Sequence, residues 1–223
     1  MRIQVAAGVA VSAAALIGVS LNGSAGTSAH AAPGAADLAA VLVSADDVSE
    51  RMDTPMQVIT SESGTHPMTT PTTTPANCAS VYAPGSAAAY DGSGYTDIVV
   101  QTLRQPGGDV SPNVVQAVAE FPDAKAAQTY LNDQAGVWKS CKGTPLTAEY
   151  TNGMTSDLKA GVVTTGGLEL YATLFLNPMK GSAGCERVLQ AKNNYVVDVR
   201  LCDDTNPGGK GRSLRSQIVR NLA

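Results

Sequence analysis

The chain has 223 residues and a formal net charge of −4, and charged residues make up only 15% of it. This mildly acidic balance argues against a nucleic-acid partner, which would normally require a basic face. The length fits one domain with a hydrophobic core of its own.

The N-terminus has the three parts of a secretory signal peptide. A short start carries Arg2, an apolar run extends from Val5 to Leu21, and the small-residue sequence Ala29-His30-Ala31 follows. Small side chains of this kind mark the site that the signal peptidase cuts. We therefore expect cleavage between Ala31 and Ala32, which leaves a soluble chain outside the cytoplasmic membrane. The alternative is an uncleaved anchor, although the apolar run is shorter than the about 20 residues of a usual bilayer span.

Four cysteines follow this start: Cys78, Cys141, Cys185 and Cys202. An even number of cysteines in an exported chain indicates a disulfide framework, and four cysteines allow three pairings. The sequence contains no Cys-x-x-Cys, which argues against a zinc knuckle and against a thioredoxin-type redox motif. No cysteine lies before Cys78, so a lipid anchor at the cleavage point is not expected.

The first part of the mature chain combines a helix with an irregular segment. Apolar residues at helical spacing predict an amphipathic helix over residues 37–52, with an interruption near Ser44. Residues 54–77 are rich in Thr and Pro and have little apolar periodicity, so we expect a long exposed loop there. A tolerated surface insertion is the simpler interpretation of this loop, and a mobile or glycosylated segment is the alternative.

The sequence of the middle of the chain predicts a β-hairpin, followed by the most clearly amphipathic helix of the chain. Residues 96–104 and 113–121 have the β-branched and alternating composition of strands. Pro122 ends the second strand. Asp123 caps a helix that extends to Cys141 and carries its apolar side chains on one face.

The last part of the chain predicts a series of strands and a closing helix. The strands are expected at residues 147–151, 158–164, 168–176, 185–192 and 195–202, with tight turns at Gly166-Gly167 and Asn193-Asn194, and the helix at 213–222. The whole order predicts an α+β fold in which helices cover one face of an antiparallel sheet. The last hairpin would place Cys185 beside Cys202, so that pairing the cysteines in sequential order is geometrically reasonable.

Candidate catalytic residues are few. His66 is the only histidine after the signal segment, and its place in the Thr/Pro-rich segment argues against a histidine-dependent hydrolase. Neither a metal site built on histidines nor a cofactor is expected. A pair of carboxylates could come from Asp97, Glu120, Glu149 or Glu169, and the sequence does not single out two of them.

Other motif-like segments have simple structural interpretations. Residues 91–97 resemble a calcium loop but have Thr96 and Thr102 where an EF-hand needs Gly and Glu, so we interpret them as a turn. Residues 206–211 lack the Ser or Thr of a phosphate-binding loop and form a joint before the last helix. Trp138 is expected to pack over the bridge at Cys141. Four basic residues are interpreted as a solvated helix face rather than an anion-binding surface: Lys210, Arg212, Arg215 and Arg220.

Two segments together with the cysteine spacing resemble a known family. They are EFPDAKAAQTYLNDQAGVWKSC, which ends at Cys141, and NNYVVDVRLC, which ends at Cys202. The pattern is similar to the extracellular sensor domain of mycobacterial PknH-type serine/threonine kinases and to free-standing secreted or lipid-anchored actinobacterial copies. The resemblance covers residues 37–223 and implies an antiparallel sheet with two helices, a cleft between them, and bridges Cys78–Cys141 and Cys185–Cys202.

The resemblance also implies a function in binding rather than catalysis. The expected protein is a non-enzymatic, sensor-like domain of the cell envelope that holds an unidentified small molecule, glycan or lipid. The chain lacks the kinase domain and membrane span of the kinase form, so it would not carry a signal inward by itself. The family supplies no ligand-binding residues to transfer. An envelope hydrolase with a carboxylate pair and a protein-docking module are the alternative functions.

Overall fold

The computed structural model describes residues 35–64, 66–69, 71–107, 112–176 and 184–222. The expected signal segment and the cleavage point between Ala31 and Ala32 lie outside these residues. The helices are α1 (Ala35–Ala40), α2 (Ala45–Met52), α3 (Ala79–Tyr82), α4 (Ala87–Tyr90), α5 (Ala124–Ser140) and α6 (Lys210–Asn221), and a short 3₁₀ helix spans Ala76–Cys78. The strands are β1 (Gln57–Gly64), β2 (Thr72–Thr74), β3 (Asp97–Arg104), β4 (Asn113–Glu120), β5 (Pro145–Glu149), β6 (Thr155–Gly166), β7 (Glu169–Leu176), β8 (Gly184–Lys192) and β9 (Tyr195–Asp203).

The described strands form one antiparallel sheet in the order β1-β3-β4-β9-β8-β7-β6-β5-β2. Strands β5 to β9 lie side by side in chain order, and two-residue turns join β6 to β7 and β8 to β9. Asn193 adopts a positive φ of 53° in the turn between β8 and β9, where Lys192 pairs with Tyr195. The turn between β6 and β7 lies one residue later than expected, at Gly167 and Leu168, since Gly166 still pairs with Glu169.

Local sequence signals explain the helix boundaries. The Asp123 carboxylate accepts a hydrogen bond from the Ala126 N–H at 2.8 Å, so that it caps α5. The Ser44 hydroxyl accepts one from the Asp47 N–H at 3.2 Å and begins α2, which confirms the interruption expected there. α5 buries Tyr130 and Trp138 on the face that meets the sheet.

The α+β class with an antiparallel sheet is confirmed, but helices lie on both faces of the sheet rather than on one. We call the face that carries Cys185 and Cys202 the disulfide face, and α3, α4 and α5 pack on it. The opposite face packs against α1, α2 and α6. Central strands such as β4 are apolar on both sides, so each face requires a cover.

The expectation of an irregular loop over residues 54–77 was wrong, although most of the described residues there are exposed. This part of the chain contains β1, which pairs with β3, and β2, which pairs with β5. Both are edge strands of the sheet, and the side chains of Val58 and Ile59 remain about two-fifths exposed. A strand with one free edge does not need the strong apolar alternation from which strands are predicted.

The two disulfides join the cysteines in sequential order, as the resemblance implies. Cys185 pairs directly with Cys202 across the β8–β9 ladder, and the S–S distance is 2.02 Å. Cys78 and Cys141, at an S–S distance of 2.00 Å, tie the segment before α3 to the end of α5. All four cysteines are buried in the core of the disulfide face.

Candidate functional site

The segment between α3 and α4 crosses the disulfide face at very close range. Gly85 has a φ of +59°, and a Cβ added there would lie 2.5 Å from Cγ2 of Val100 in β3. Glycine therefore allows both the turn and the close approach.

A buried ion pair lies beneath this crossing. Arg187 of β8 and Asp198 of β9 form a salt bridge, and both side chains are almost fully buried. The second carboxylate oxygen of Asp198 accepts hydrogen bonds from the Gly85 N–H at 3.0 Å and from the Tyr90 hydroxyl at 3.1 Å. These bonds fix the crossing segment to the sheet, since a buried charge must be paired and hydrogen-bonded.

Arg187 is held from several sides. Its Nη1 donates to the Val199 carbonyl at 3.2 Å, and its Nη2 donates to the Ser80 carbonyl at 3.4 Å. The guanidinium lies 4.9 Å from the ring centroid of Trp138, which is the cation–π range. Burial lowers the pKa of Arg187 to about 9, so the side chain remains charged at neutral pH. Trp138 thus supports this arginine, in addition to packing in the core with Cys141.

Arg200 follows Asp198 by two residues on the same face of β9 but has only neutral partners among the described residues. Its side chain donates to the Tyr82 carbonyl at 3.2 Å and to Oδ1 of Asn113 at 3.0 Å. The guanidinium lies 4.1 Å from the ring centroid of Tyr82. Only 4% of Arg200 is exposed. The floor of the disulfide face therefore carries a positive charge that no described carboxylate neutralises.

Arg200 lies at the bottom of an open cavity of about 240 Å³, which we call the arginine cleft. Its described lining is Ile59, Thr60, Met68, Pro71, Ala83, Thr102, Arg104, Asn113, Val115, Tyr150, Thr151, Asn152, Met154 and Arg200. The two ends of the sheet both contribute, since Ile59 and Thr60 belong to β1 while residues 150–154 connect β5 to β6. The lining contains two arginines and no acidic residue among the described residues.

The wall formed by residues 150–154 is held in place by several hydrogen bonds. The Tyr150 N–H donates to the Met154 carbonyl and the Gly153 N–H donates to the Tyr150 carbonyl, both at 2.9 Å. The Tyr150 hydroxyl forms a hydrogen bond with the hydroxyl of buried Tyr82. Burial raises the pKa of Tyr82, so its hydroxyl keeps its proton. The wall is thereby joined to α3 and through it to the buried network.

A second recess, of about 470 Å³, lies between the loop after α4 and the first turns of α5. Its charged lining consists of Asp91, Asp123, Asp133 and Lys125, all of which are exposed. Water solvates such charges well, so they contribute little directed binding energy. The arginine cleft is the stronger candidate site, because the charged side chain of Arg200 is nearly buried.

Of the four candidate carboxylates, the structure brings two together. Asp97 and Glu120 are direct partners in the β3–β4 ladder, so the structure does bring these two together. Neither lines the arginine cleft or the second recess. Glu149 belongs to β5 beside β2, and Glu169 forms a salt bridge with Arg215.

The glycine-rich joint before α6 binds an internal carboxylate. Glu186 is buried and accepts hydrogen bonds from the N–H groups of Gly209 at 2.6 Å, Gly211 at 2.7 Å and Arg212 at 3.3 Å. The helix N-terminus thus has its anion within the chain. A Cβ at Gly211 would lie 2.9 Å from this side chain, so glycine permits the contact.

Three basic residues of α6 also have internal partners: Lys210, Arg212 and Arg215. Lys210 forms a salt bridge with Asp203 at 3.0 Å, and the Arg212 guanidinium lies 4.7 Å from the ring centroid of Tyr171. His66 is exposed. Within the described ranges, no three potential metal ligands cluster and no helix combines the length and apolar character needed to cross a bilayer.

Sequence reasoning did not identify Arg104, Arg200 or the wall at Tyr150. A usable signal was present in the last strand, where Asp198 and Arg200 alternate with Val197, Val199 and Leu201. They share a strand face with Cys202, which was expected to be buried in a disulfide. Charged side chains at such inward positions mark either a buried ion pair or a binding site.

Fold and site together define an α+β domain with two disulfides and an open cleft on one sheet face. The chain belongs to the PknH-like extracellular domain family, whose model matches residues 33–221. This membership supports a location outside the cytoplasm.

Similar proteins include two mycobacterial kinases. The serine/threonine-protein kinase PknH of Mycobacterium bovis is 31% identical over 129 residues, which are 54% of this chain and 20% of the kinase. The serine/threonine-protein kinase PknJ of Mycobacterium tuberculosis is 28% identical over 139 residues, which are 60% of this chain and 23% of the kinase. The matches therefore span about a fifth of the length of these relatives.

A crystal structure of the extracellular domain of PknH from Mycobacterium tuberculosis has a similar fold. The TM-score is 0.76 and the sequence identity 24%, and the match covers 86% of this chain and 98% of the other. This likeness establishes the fold.

Proposed function

We propose that this protein is a non-catalytic, sensor-like module that captures a small molecule in the arginine cleft. The observation that carries the proposal is Arg200, a nearly buried cation with neutral partners at the bottom of an open cavity. Binding sites typically combine a mostly apolar wall with a few placed polar groups, and this cleft has both. Membership in an extracellular domain family supports binding rather than catalysis.

The walls of the cleft are held before any ligand arrives. The Arg187–Asp198 pair fixes the crossing segment, Cys78–Cys141 fixes the chain before α3, and the Tyr82–Tyr150 hydrogen bond fixes the outer wall. A site whose walls are fixed loses less conformational entropy on binding. The proposed mechanism is reversible capture with little change in the backbone.

The proposed place of action is the cell envelope or the medium outside it. Its basis is the signal-like N-terminus together with the extracellular family. Mass spectrometry of protein recovered from culture fluid should give an N-terminus at Ala32. An intact N-terminus in membrane fractions would instead indicate a retained anchor.

A screen of envelope-derived lipids, glycans and peptidoglycan fragments tests the proposed function. A ligand should raise the melting temperature of the native protein, since binding to the folded state stabilises it. Thr102→Phe places a ring in the arginine cleft and should abolish the shift. Thr164→Phe, at an exposed position of β6 outside the cleft, is the matched control and should retain it. Equal shifts in all three proteins would place binding elsewhere.

A further inference from the structure

We propose that the ligand of the arginine cleft is a compact anion, a carboxylate or a phosphate, that carries an apolar group. This inference rests on the proposed function and adds the chemical class of the ligand. It follows from three features of the cleft, which are its net charge, the placement of its two arginines and the apolar side chains at its mouth.

The positive charge of Arg200 in the cleft has no counter-ion among the described residues. Arg187 has its counter-ion in Asp198, whereas the described partners of Arg200 are a carbonyl, an amide oxygen and an aromatic ring. A buried charge is costly unless an opposite charge accompanies it. A bound carboxylate or phosphate would supply that charge at the position where the cleft opens to solvent.

Two arginines line the same cleft. Arg104 ends β3 and Arg200 lies in β9, and both project to the disulfide face on either side of β4, where Asn113 and Val115 lie. The Nε atoms of both arginines have no hydrogen-bond partner in the described part of the chain. Guanidinium groups bind carboxylates and phosphates through paired, charge-assisted hydrogen bonds.

The mouth of the cleft favours an apolar group beside the anion. Ile59 and Met154, at opposite ends of the sheet, are each 41% exposed, and Met68 and Pro71 continue the apolar lining. Contact with a ligand chain would remove these side chains from water, which is favourable in proportion to the buried area. Methionine also adapts its shape to varied apolar groups.

Nuclear magnetic resonance titration of the purified ¹⁵N-labelled protein tests this class directly. The probes are hexyl phosphate, hexanoate, hexanol and inorganic phosphate. Hexyl phosphate and hexanoate should shift the Nε–H signals of Arg104 and Arg200 and the backbone amides of Thr151 and Asn152. Hexanol and inorganic phosphate should bind at least about tenfold more weakly, since each lacks one half of the recognised chemistry.

Charge variants separate the anion site from a merely apolar pocket. Arg104→Gln should weaken hexyl phosphate binding about tenfold and leave hexanol unaffected, because it removes one charge-assisted contact. Arg212→Gln, on α6 outside the cleft, should change neither. The proposal is overturned if hexanol binds as tightly as hexyl phosphate, or if Arg104→Gln binds hexyl phosphate with native affinity.

The same experiments keep the two proposals distinguishable. A neutral glycan that binds the native protein and not Thr102→Phe, with no response to hexyl phosphate or hexanoate, would overturn the anion class and leave the proposed function intact. Vesicles of phosphatidylglycerol distinguish the source of the anion. Retention on vesicles with competition by hexyl phosphate supports a lipid-borne anion, and binding of hexyl phosphate without retention supports a soluble one.

Discussion

The hydroxyls of Tyr82 and Tyr150 form a hydrogen bond that connects the buried helix α3 to the outer wall of the arginine cleft. Tyr82 also lies under the guanidinium of Arg200. One residue therefore contacts both the charged floor and the outer wall of the site, and the position of the wall depends on the same contacts that hold the charge.

Tyr150→Phe is expected to loosen this wall. The ring is retained and the hydroxyl is lost, so the stability cost should be about 1 kcal/mol, the usual net value of one hydrogen bond. The affinity of the cleft for its ligand should also fall. The matched control is Thr165→Val, which removes an exposed hydroxyl on β6 and should lower the affinity by a smaller factor. Urea unfolding and titration of the same ligand measure the two effects. Native affinity in Tyr150→Phe would show that the wall is held without this bond.

Gly85→Ala tests whether the crossing segment needs its close approach to β3. The added Cβ would lie 2.5 Å from Val100, and the alanine would have to keep the positive φ of Gly85. We therefore expect the free energy of unfolding to fall by about 2–5 kcal/mol from backbone strain and overpacking together. Gly92→Ala has a similar φ, +74°, with no atom within 4 Å of the added carbon. It should cost only about 1–2 kcal/mol. Equal losses in the two variants, measured by urea unfolding, would argue against the close contact.

The two disulfides should differ in their contribution to stability. In the chain-entropy model, the bridge that closes 63 residues contributes about 4 kcal/mol and the bridge that closes 17 residues about 3 kcal/mol. Replacing Cys78 and Cys141 together by alanine should therefore destabilise more than replacing Cys185 and Cys202. Denaturant unfolding of both double variants checks the order. The reverse order would mean that native packing, rather than loop closure, decides the difference.

Glu120 gives the protein a testable pH dependence. Burial raises the pKa of Glu120, the hydrogen bond from Asn194 opposes this, and the facing Asp97 adds to it. A raised folded pKa stabilises the fold below the unfolded value of about 4.3, and this contribution is lost as the pH rises through the folded pKa. Glu120→Gln should therefore be more stable than the native protein at pH 7 by a few tenths of a kcal/mol, the size of a cross-strand pair effect.

The difference between Glu120→Gln and the native protein should disappear near pH 3, about one unit below the unfolded pKa, where Glu120 is largely protonated in both states. Urea unfolding at pH 7 and at about pH 3 measures it. Glu149→Gln, opposite Thr72 and Thr155 rather than an acid, is the control. A stability gain of equal size at both pH values would contradict the assignment to ionisation.

The parts of the fold that depend on local signals were predictable from the sequence. Asp123 predicts the start of α5, because a helix cap acts within one turn. The Asn193-Asn194 turn sets the β8–β9 register and therefore places Cys185 opposite Cys202. β1 was not predictable in the same way. Its pairing with β3 depends on a distant partner, and its exposed edge position imposes no apolar pattern.

The candidate site was less accessible to sequence reasoning because its parts come from distant positions. Arg104, Tyr150 and Arg200 lie in separate strands or turns, and only the sheet order brings them to one cavity. The sequence shows that Arg200 is charged. It does not show whether a carboxylate neutralises that charge, because Asp198 could pair with either Arg187 or Arg200. That choice is a property of the packed face and of the Gly85 crossing above it.

The most direct test of the account is to recover the cleft's ligand after binding. A ligand found in the thermal-shift screen should bind the native protein, compete with hexyl phosphate, lose its affinity in Thr102→Phe, and be recovered by mass spectrometry with its mass unchanged after prolonged incubation. A product of altered mass that forms with the native protein and not with Thr102→Phe would contradict the account, because it would show that the cleft transforms what it holds.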